Sequence, residues 1–478
     1  MTQQREPAVP ASAPPGPGGP TRRIHLNAFD MTCAVHQSPG LWRHPLDQSH
    51  RYRDLRYWTD LAQLLESGQF TSLFIADVVG VYDVYRGGPE PAVRGGVQVP
   101  VGEPTLAVPA MAAVTEHLGF GVTVSLTYEK PYAFARRFAT LDHYTGGRIA
   151  WNVVTSYLES AARNLGLEHQ VPHDRRYDVA DEFMEVVYKL WEGSWEDGAV
   201  RRDRAAGVYT DPARVHPIAH HGRYFDVPGI ALTEPSPQRS PVIFQAGASP
   251  RGRRFAAAHA EGIFTTATRP EILARSIAET RATAAALGRD PRSIAFFTLM
   301  TVITAPTDEE AQAKYEEYAR YVSLEGALTL YGGWSGLDLS TMDPDEPLRY
   351  AETEAVRSAV EAFTTVDPDR DWTPRDIANW IGIGGMGVVV VGSPATVADE
   401  MQRWVDVADV DGFNLAYAIT PGTFEDLVEL VVPELQDRGL LPRKYAGSTL
   451  REELYGPGQV RLRDDHPGAR FARRGATP

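Results

Sequence analysis

Residues 148–180 hold the side chains whose types and spacing could do chemistry. An apolar, β-branched run, Arg148-Ile-Ala-Trp-Asn-Val-Val-Thr-Ser156, is interrupted by Asn152 and closes on Thr155 and Ser156. Polar groups gathered at the carboxyl end of a buried strand mark a site rather than packing. After a polar loop, a helical pattern opens at His173-Asp-Arg-Arg-Tyr177. His173 and Tyr177 are four residues apart, which puts both on one face of a first turn. Free backbone N–H groups at that turn favour an anion, so a phosphate-bearing cofactor is expected at this strand end. The competing reading is that Ser156 and Asp174 only cap helices.

The elements that must position these residues alternate along the chain. Strands are expected at 23–29, 70–77, 119–126, 148–156, 241–248, 262–266, 294–304, 388–391 and 412–417. Helices with apolar residues at 3.6-residue spacing are expected at 54–69, 104–118, 131–144, from 173, and at 250–260, 272–287, 308–322, 397–408 and 423–438. Residues 87–103 are read as a Gly- and Pro-rich loop. Eight or nine strands, most followed by a helix, mean parallel strands joined by right-handed crossovers. This suits a (β/α)8 TIM barrel, an α/β fold with insertions on its loops at about 194–239 and 323–385. An open doubly wound sheet is the alternative. The barrel is expected to span 23–445, after a Pro/Gly-rich disordered tail at 1–22 and before a C-terminal extension at 446–478. From Leu440 on there is no clear pattern, and an extended tail lying on a partner subunit is expected.

Composition narrows the function classes. The chain has 478 residues, is 43% hydrophobic and 23% charged, and carries a formal charge of −15. That balance fits a globular protein and argues against nucleic acid as the main partner. The short basic run Arg251-Gly-Arg-Arg254 reads as a solvated helix face. The single cysteine, Cys33, precludes an internal disulfide or a cysteine metal cage and fits a reducing cytoplasm. No stretch approaches the ~20 apolar residues of a membrane span, and the first residues lack a signal-peptide core.

In a barrel, the strand ends gather the candidates. They are His36 and His44 after the first strand, Phe74 and Asp77 from the second, and Thr123 and Ser125 from the third. Asn152, Thr155 and Ser156 come from the fourth strand, and Gly247 and Ser249 from the strand at 241–248. Hydroxyls, an amide and one carboxylate suit hydrogen bonding to a heteroaromatic ring and its phosphate better than acid–base hydrolysis. No Gly-x-Ser-x-Gly elbow or phosphate loop is present. The run Gly382-Ile-Gly384-Gly385-Met-Gly387 precedes an apolar stretch instead of opening a helix, so it does not fit a dinucleotide fingerprint. His216, His220 and His221 lack a matching carboxylate cluster and read as loop histidines, so no metal is expected.

Longer segments carry a family resemblance. They are Phe74-Ile-Ala-Asp77, Ala112-Ala-Val-Thr-Glu-His-Leu-Gly-Phe-Gly-Val-Thr123 and Phe138-Ala-Thr-Leu-Asp-His-Tyr-Thr-Gly-Gly-Arg-Ile-Ala-Trp-Asn-Val-Val-Thr-Ser156. To these add His173-Asp-Arg-Arg-Tyr177, Gln245-Ala-Gly-Ala-Ser-Pro-Arg-Gly-Arg-Arg-Phe255, Gly392-Ser-Pro-Ala-Thr-Val-Ala-Asp399 and Val432-Pro-Glu-Leu-Gln-Asp-Arg-Gly439. Over most of residues 23–455 the chain resembles the bacterial-luciferase-like flavin monooxygenases, in the branch of the nitrilotriacetate, dibenzothiophene-sulfone and long-chain alkane monooxygenases.

The resemblance implies a barrel that binds reduced FMN supplied by a separate NAD(P)H-dependent flavin reductase. With O2 as cosubstrate, it would insert one oxygen atom into a small organic substrate. The family's flavin contacts fall on Asp77, Thr123, Asn152, Ser156, His173, Tyr177, Gly247 and Ser249. Of these, Ser156, Tyr177, Ser249 and the N–H beside Gly247 would hold the phosphate, and Asp77, Thr123 and Asn152 would meet the ring and ribityl chain. His36 matches a histidine that would hydrogen-bond the activated oxygen or the substrate, and Phe74 would wall the pocket. A homodimer or homotetramer is expected. A deazaflavin-dependent oxidoreductase of the same superfamily and a non-catalytic flavin-binding protein are the alternative readings.

Overall fold

Nine strands form one parallel sheet, and eight of them close into a ring. In chain order they are β1 (His25–Met31), β2 (Ser72–Ala76), β3 (Gly119–Ser125), β4 (Ile149–Val154), β5 (Val242–Gln245), β6 (Gly262–Thr265), β7 (Ala295–Thr304), β8 (Val388–Gly392) and β9 (Gly412–Ala416). The computed structural model describes residues 22–247, 249–348, 355, 357–361, 363 and 371–473. The order β6-β5-β4-β3-β2-β1-β9-β7 returns to β6 through the pairs Gly262↔Ala295 to Thr265↔Thr298. β7 is long enough to serve two neighbours in turn: its residues 297–301 pair with β9 and its residues 300–304 with β8, which stands outside the ring. This is the (β/α)8 barrel expected from the alternation, not an open sheet.

The principal helices are α1 (Leu55–Ser67), α2 (Pro131–Tyr144), α3 (His173–Tyr188), α4 (Pro250–His259), α5 (Pro270–Ala286), α6 (Asp308–Ala319), α7 (Pro394–Ala408) and α8 (Leu450–Tyr455). Their apolar stripes and the outward faces of the strands make one large core between sheet and helices. The barrel interior is a second, aromatic core. The Phe74 ring stacks between Phe29 at 4.9 Å and Phe264 at 4.1 Å, above Phe244 and Phe297. The barrel is therefore filled, and a ligand has room only above these rings, at the carboxyl ends of the strands.

The floor is closed by the chain's own C-terminal segment. Leu450 of α8 inserts into the interior core, and its N–H donates to the Gly147 carbonyl at 3.0 Å. Arg451, fully buried, pairs with Glu261 at 2.6 Å. His466 Nε2 lies 2.8 Å from the His259 carbonyl. Residues 440–473 thus fold back under their own barrel, where the sequence suggested a tail for a partner subunit.

Other local departures have simple causes. The loop at 87–103 contains the short helix Glu90–Gly95, and the polar loop before α3 contains Glu159–Asn164. The helix expected at 104–118 breaks into Pro104–Leu106 and Val108–Ala112, each with a proline at its start. The insertion at 194–239 folds as two small hairpins, Val200–Asp203 with Val208–Thr210 and His220–His221 with Asp226–Val227. In the second insertion, the helices Leu324–Ser335 and Pro374–Ile381 share a core with Tyr82 and Leu158 above the barrel mouth. The tail at 1–21 and much of 349–370 lie outside the described residues. No described helix is long and apolar enough to cross a membrane.

Candidate active site

A cavity of about 710 Å³ sits over the carboxyl ends of the barrel strands. His36, Phe74, Asp77, Thr123, Asn152, Ser156, His173, Tyr177, Gly247 and Ser249 all line it, although they come from five βα junctions. A larger recess of about 980 Å³ runs along the outer edge of β8 and contains none of them. The cavity at the mouth is the one that brings the chemistry together.

One end of the cavity is built from the β4 and β5 junctions. Ser249 is the N-cap of α4, and its Oγ accepts the Gly252 N–H at 3.0 Å. The same Oγ lies 3.2 Å from His173 Nε2, while His173 Nδ1 is 2.8 Å from Asp174 Oδ1. The Tyr177 hydroxyl rests against the turn between Gly247 and Gly252. A Cβ at those glycines would come within 2.8 Å and 2.7 Å of that oxygen, so glycine is needed for close approach. The Gly247 N–H is held by Gln245 Oε1 at 2.7 Å. Ser156 has φ +56°, a left-handed conformation uncommon outside glycine, and its Oγ donates to Ser125 Oγ at 2.7 Å. Arg176 Nη1 donates to the Ser156 carbonyl at 2.6 Å. Hydroxyls, a helix start and buried cationic character meet here, which is the chemistry of an anion site.

The middle of the cavity is neutral and polar. Thr123 and Asn152 are register partners on β3 and β4, and Asn152 Nδ2 donates to Thr123 Oγ1 at 2.9 Å. Asn152 Oδ1 is buried with no protein partner, an acceptor set out for an N–H or O–H donor in the cavity. Burial pushes the Asp77 carboxyl up to about 7, with a smaller push from Glu103 and a downward pull from the Val78 N–H. Near neutral pH it can therefore donate as well as accept.

The other end is apolar and aromatic. His36 is 2% exposed, and its ring meets Phe29 edge-on at 4.3 Å. Burial pushes its imidazole down to about 3, so His36 is a neutral group at physiological pH. Its Nδ1 is also buried without a protein partner. Phe74 serves as both interior core and cavity floor. His44, in contrast, lies off the cavity, 3.2 Å from Glu317.

The sequence reading missed a polar chain over this end. Tyr82 Oη donates to Gln98 Oε1 at 2.8 Å and shares a 2.8 Å contact with the Tyr157 hydroxyl. Gln98 Nε2 donates to the His36 carbonyl at 3.1 Å. Trp334, from the second insertion, also lines the cavity. Tyr82, Gln98 and Tyr157 sit in loops without periodicity, Trp334 sits in the helix Leu324–Ser335 of the insertion, and only the fold brings them together. His216 and His220 sit in the first insertion beside different carboxylates, Glu196 at 2.8 Å and Glu182 at 3.3 Å. Among the described residues, no group of three or more potential ligands could hold a metal ion.

Comparison with known proteins agrees with the barrel fold. A profile of the family described as luciferase-like monooxygenase matches residues 33–409. The chain is similar to the dimethyl-sulfide monooxygenase of Hyphomicrobium sulfonivorans, with 56% identity over 450 residues that cover 94% of each chain. It is similar to the long-chain alkane monooxygenase of Geobacillus thermodenitrificans, with 51% identity over 94% of this chain and 98% of that one. A solved structure of a riboflavin lyase, with modified FMN and riboflavin, is 40% identical with a TM-score of 0.88, over 95% of this chain and 100% of that one.

Proposed function

Since this chain belongs to the luciferase-like monooxygenase family, we propose that it is the oxygenase of a two-component system. On this reading it receives reduced FMN from an NAD(P)H-dependent reductase and oxidises a small neutral substrate. The observation that supports it most is the division of the cavity into an anion-binding end, a neutral polar middle and an apolar end. A flavin mononucleotide has the same three parts in order, apart from the substrate space. The buried, unpartnered Asn152 Oδ1 and the glycine turn under Tyr177 fit the group. Relatives at 51% and 56% identity carry monooxygenase names, which disfavours the deazaflavin alternative.

When bound, reduced FMN supplies the electrons that activate O2 for transfer of one atom to the substrate. The protein's work is binding, orientation and exclusion of water. Ser156, Tyr177 and Ser249 would hold the phosphate, with His173 orienting Ser249. Thr123, Asn152 and Asp77 would meet the ribityl chain and ring. His36, held neutral, would offer a hydrogen bond above the aromatic floor, and Gln98 fixes its backbone.

The substrate end favours a neutral, apolar molecule. Phe29, Met31, Phe74, Val78 and Trp334 line it, and the three arginines among the cavity's described residues, Arg176, Arg253 and Arg275, come from the helices that follow β4, β5 and β6. A polycarboxylate would enter without a counter-charge, which is costly in a desolvated site. Small thioethers and alkanes, the classes in the names of the two relatives, fit this lining.

The test is product analysis under labelled O2, with FMN, a flavin reductase and NADH, over a panel of neutral sulfides, alkanes and carboxylated amines. Incorporation of one labelled oxygen atom into a neutral member is expected. Hydrogen peroxide as the sole oxygen product across the panel would favour a flavin-binding protein without turnover.

A further inference from the structure

Serines, a tyrosine and a helix start bring no full positive charge, whereas a phosphate monoester carries about −1.5 to −2 at pH 7. We propose that Arg176 supplies the missing charge and makes the site select for phosphate. The protein would then take flavin mononucleotide and discriminate against the same ring system without its phosphate. This assignment rests on the flavin reading of the cavity.

The argument begins with helix geometry. His173, Arg176 and Tyr177 stand at i, i+3 and i+4 on α3, on one face, and all three line the cavity. Arg176 is 2% exposed. Burying a guanidinium is unfavourable unless strong acceptors meet it. The Ser156 carbonyl is one such acceptor, at 2.6 Å. Ser156 is held in a left-handed conformation that persists only where its surroundings impose it. The same guanidinium therefore pins the strained turn at the end of β4 and places a buried cation beside the hydroxyls assigned to the phosphate. Arginine's planar fork has five N–H donors in several directions, so one position can serve both ends.

The other cations at the cavity differ in kind. Arg253 has a side chain 34% exposed and lies 3.6 Å from Glu279, and Arg275 is exposed. Charges in that position act through water and are screened by salt. Arg176 acts in a low-dielectric setting, where a charge–charge interaction is several times stronger.

The test is to titrate the full-length apoprotein with FMN and with riboflavin, reading flavin fluorescence. Two variants separate charge from structure. Arg176→Gln keeps a donor for the Ser156 carbonyl and loses the charge; Arg176→Lys keeps the charge. Wild type is expected to bind FMN about 30-fold tighter than riboflavin, or about 2 kcal/mol at 1.4 kcal/mol per tenfold. That is the size of one charge-assisted hydrogen bond. Arg176→Gln is expected to reduce the preference to about 3-fold or less with riboflavin affinity nearly unchanged, and Arg176→Lys to keep most of it.

Equal weakening of both flavins in Arg176→Gln would show that Arg176 acts only through the Ser156 turn, and the assignment would fall. Should the Gln variant not fold, loss of the FMN preference in Arg176→Lys would overturn it equally. If wild type binds FMN and Arg176→Gln retains the preference, only Arg176 is misassigned. If wild type binds neither flavin, the flavin reading fails with it.

Discussion

The Ser249 hydroxyl oxygen lies 3.2 Å from Nε2 of His173, joining the starts of two helices whose residues are 76 apart in sequence. That contact makes one site out of the β4 and β5 junctions. Each partner has a structural role as well, Ser249 as the N-cap of α4 and His173 as the first residue of α3.

The two roles of Ser249 can be separated. Aspartate is as good an N-cap as serine, but it sets a carboxylate against a phosphate. Ser249→Asp is therefore expected to keep its stability within about 0.5 kcal/mol of wild type and to weaken FMN binding at least ~10-fold. Ser249→Ala is expected to lose about 1 kcal/mol of stability and to weaken FMN binding moderately. Denaturation and FMN titration on the same preparations check both.

Asp77 should leave a signature in the pH dependence of stability. Its carboxyl sits near pH 7 in the fold against an ordinary value of 3.8, because burial disfavours the charge. Between those values the folded chain keeps a proton that the unfolded chain has released, so stability falls as pH rises through that window. Asp77→Asn is expected to gain on wild type from pH 5 to pH 8, with an upper bound of about 3 kcal/mol, since only about two pH units of that window lie below the folded value. Urea denaturation at the two pH values measures the difference. A gap that stays constant would show that Asp77 ionises normally.

His36→Ala is expected to leave FMN affinity within about 3-fold and to cut oxygenated product by roughly 100-fold, with flavin oxidation continuing uncoupled. Burial holds the wild-type imidazole near pKa 3, so the yield should show no inflection near pH 6.5 from this group. Paired measurement of NADH consumed and product formed separates coupling from binding.

Arg451→Met leaves Glu261 buried without the guanidinium that holds both its oxygens. A loss of about 3–5 kcal/mol in stability is expected, with FMN affinity of the folded fraction unchanged because α8 closes the opposite end of the barrel. Thermal denaturation with and without FMN checks both halves.

Much of this was legible in the sequence because the barrel repeats one physical unit. Runs such as 148–156 and 412–417 could be buried strands only, and α2 kept its expected bounds because Pro131 starts it and Gly146-Gly147 ends it. The residues that the fold gathers at the cavity stand out where a polar group interrupts or ends an apolar run, as at Asp77, Asn152 and Ser156. Gln98 and Tyr82 gave no such signal, since their roles come from loops that meet only in three dimensions. The fold-back of the C-terminal segment was not legible for a related reason. Leu450 and Arg451 are held by long-range contacts to Gly147 and Glu261, and their local pattern is a helix of six residues.

The most direct test is a crystal structure of the protein soaked with FMN. The account predicts the ring over Phe74 and beside Asn152, and the phosphate between Ser156 and Ser249 within hydrogen-bond reach of Tyr177 and Arg176. A nucleotide seated elsewhere, or a mouth that stays empty at saturating FMN, would contradict it.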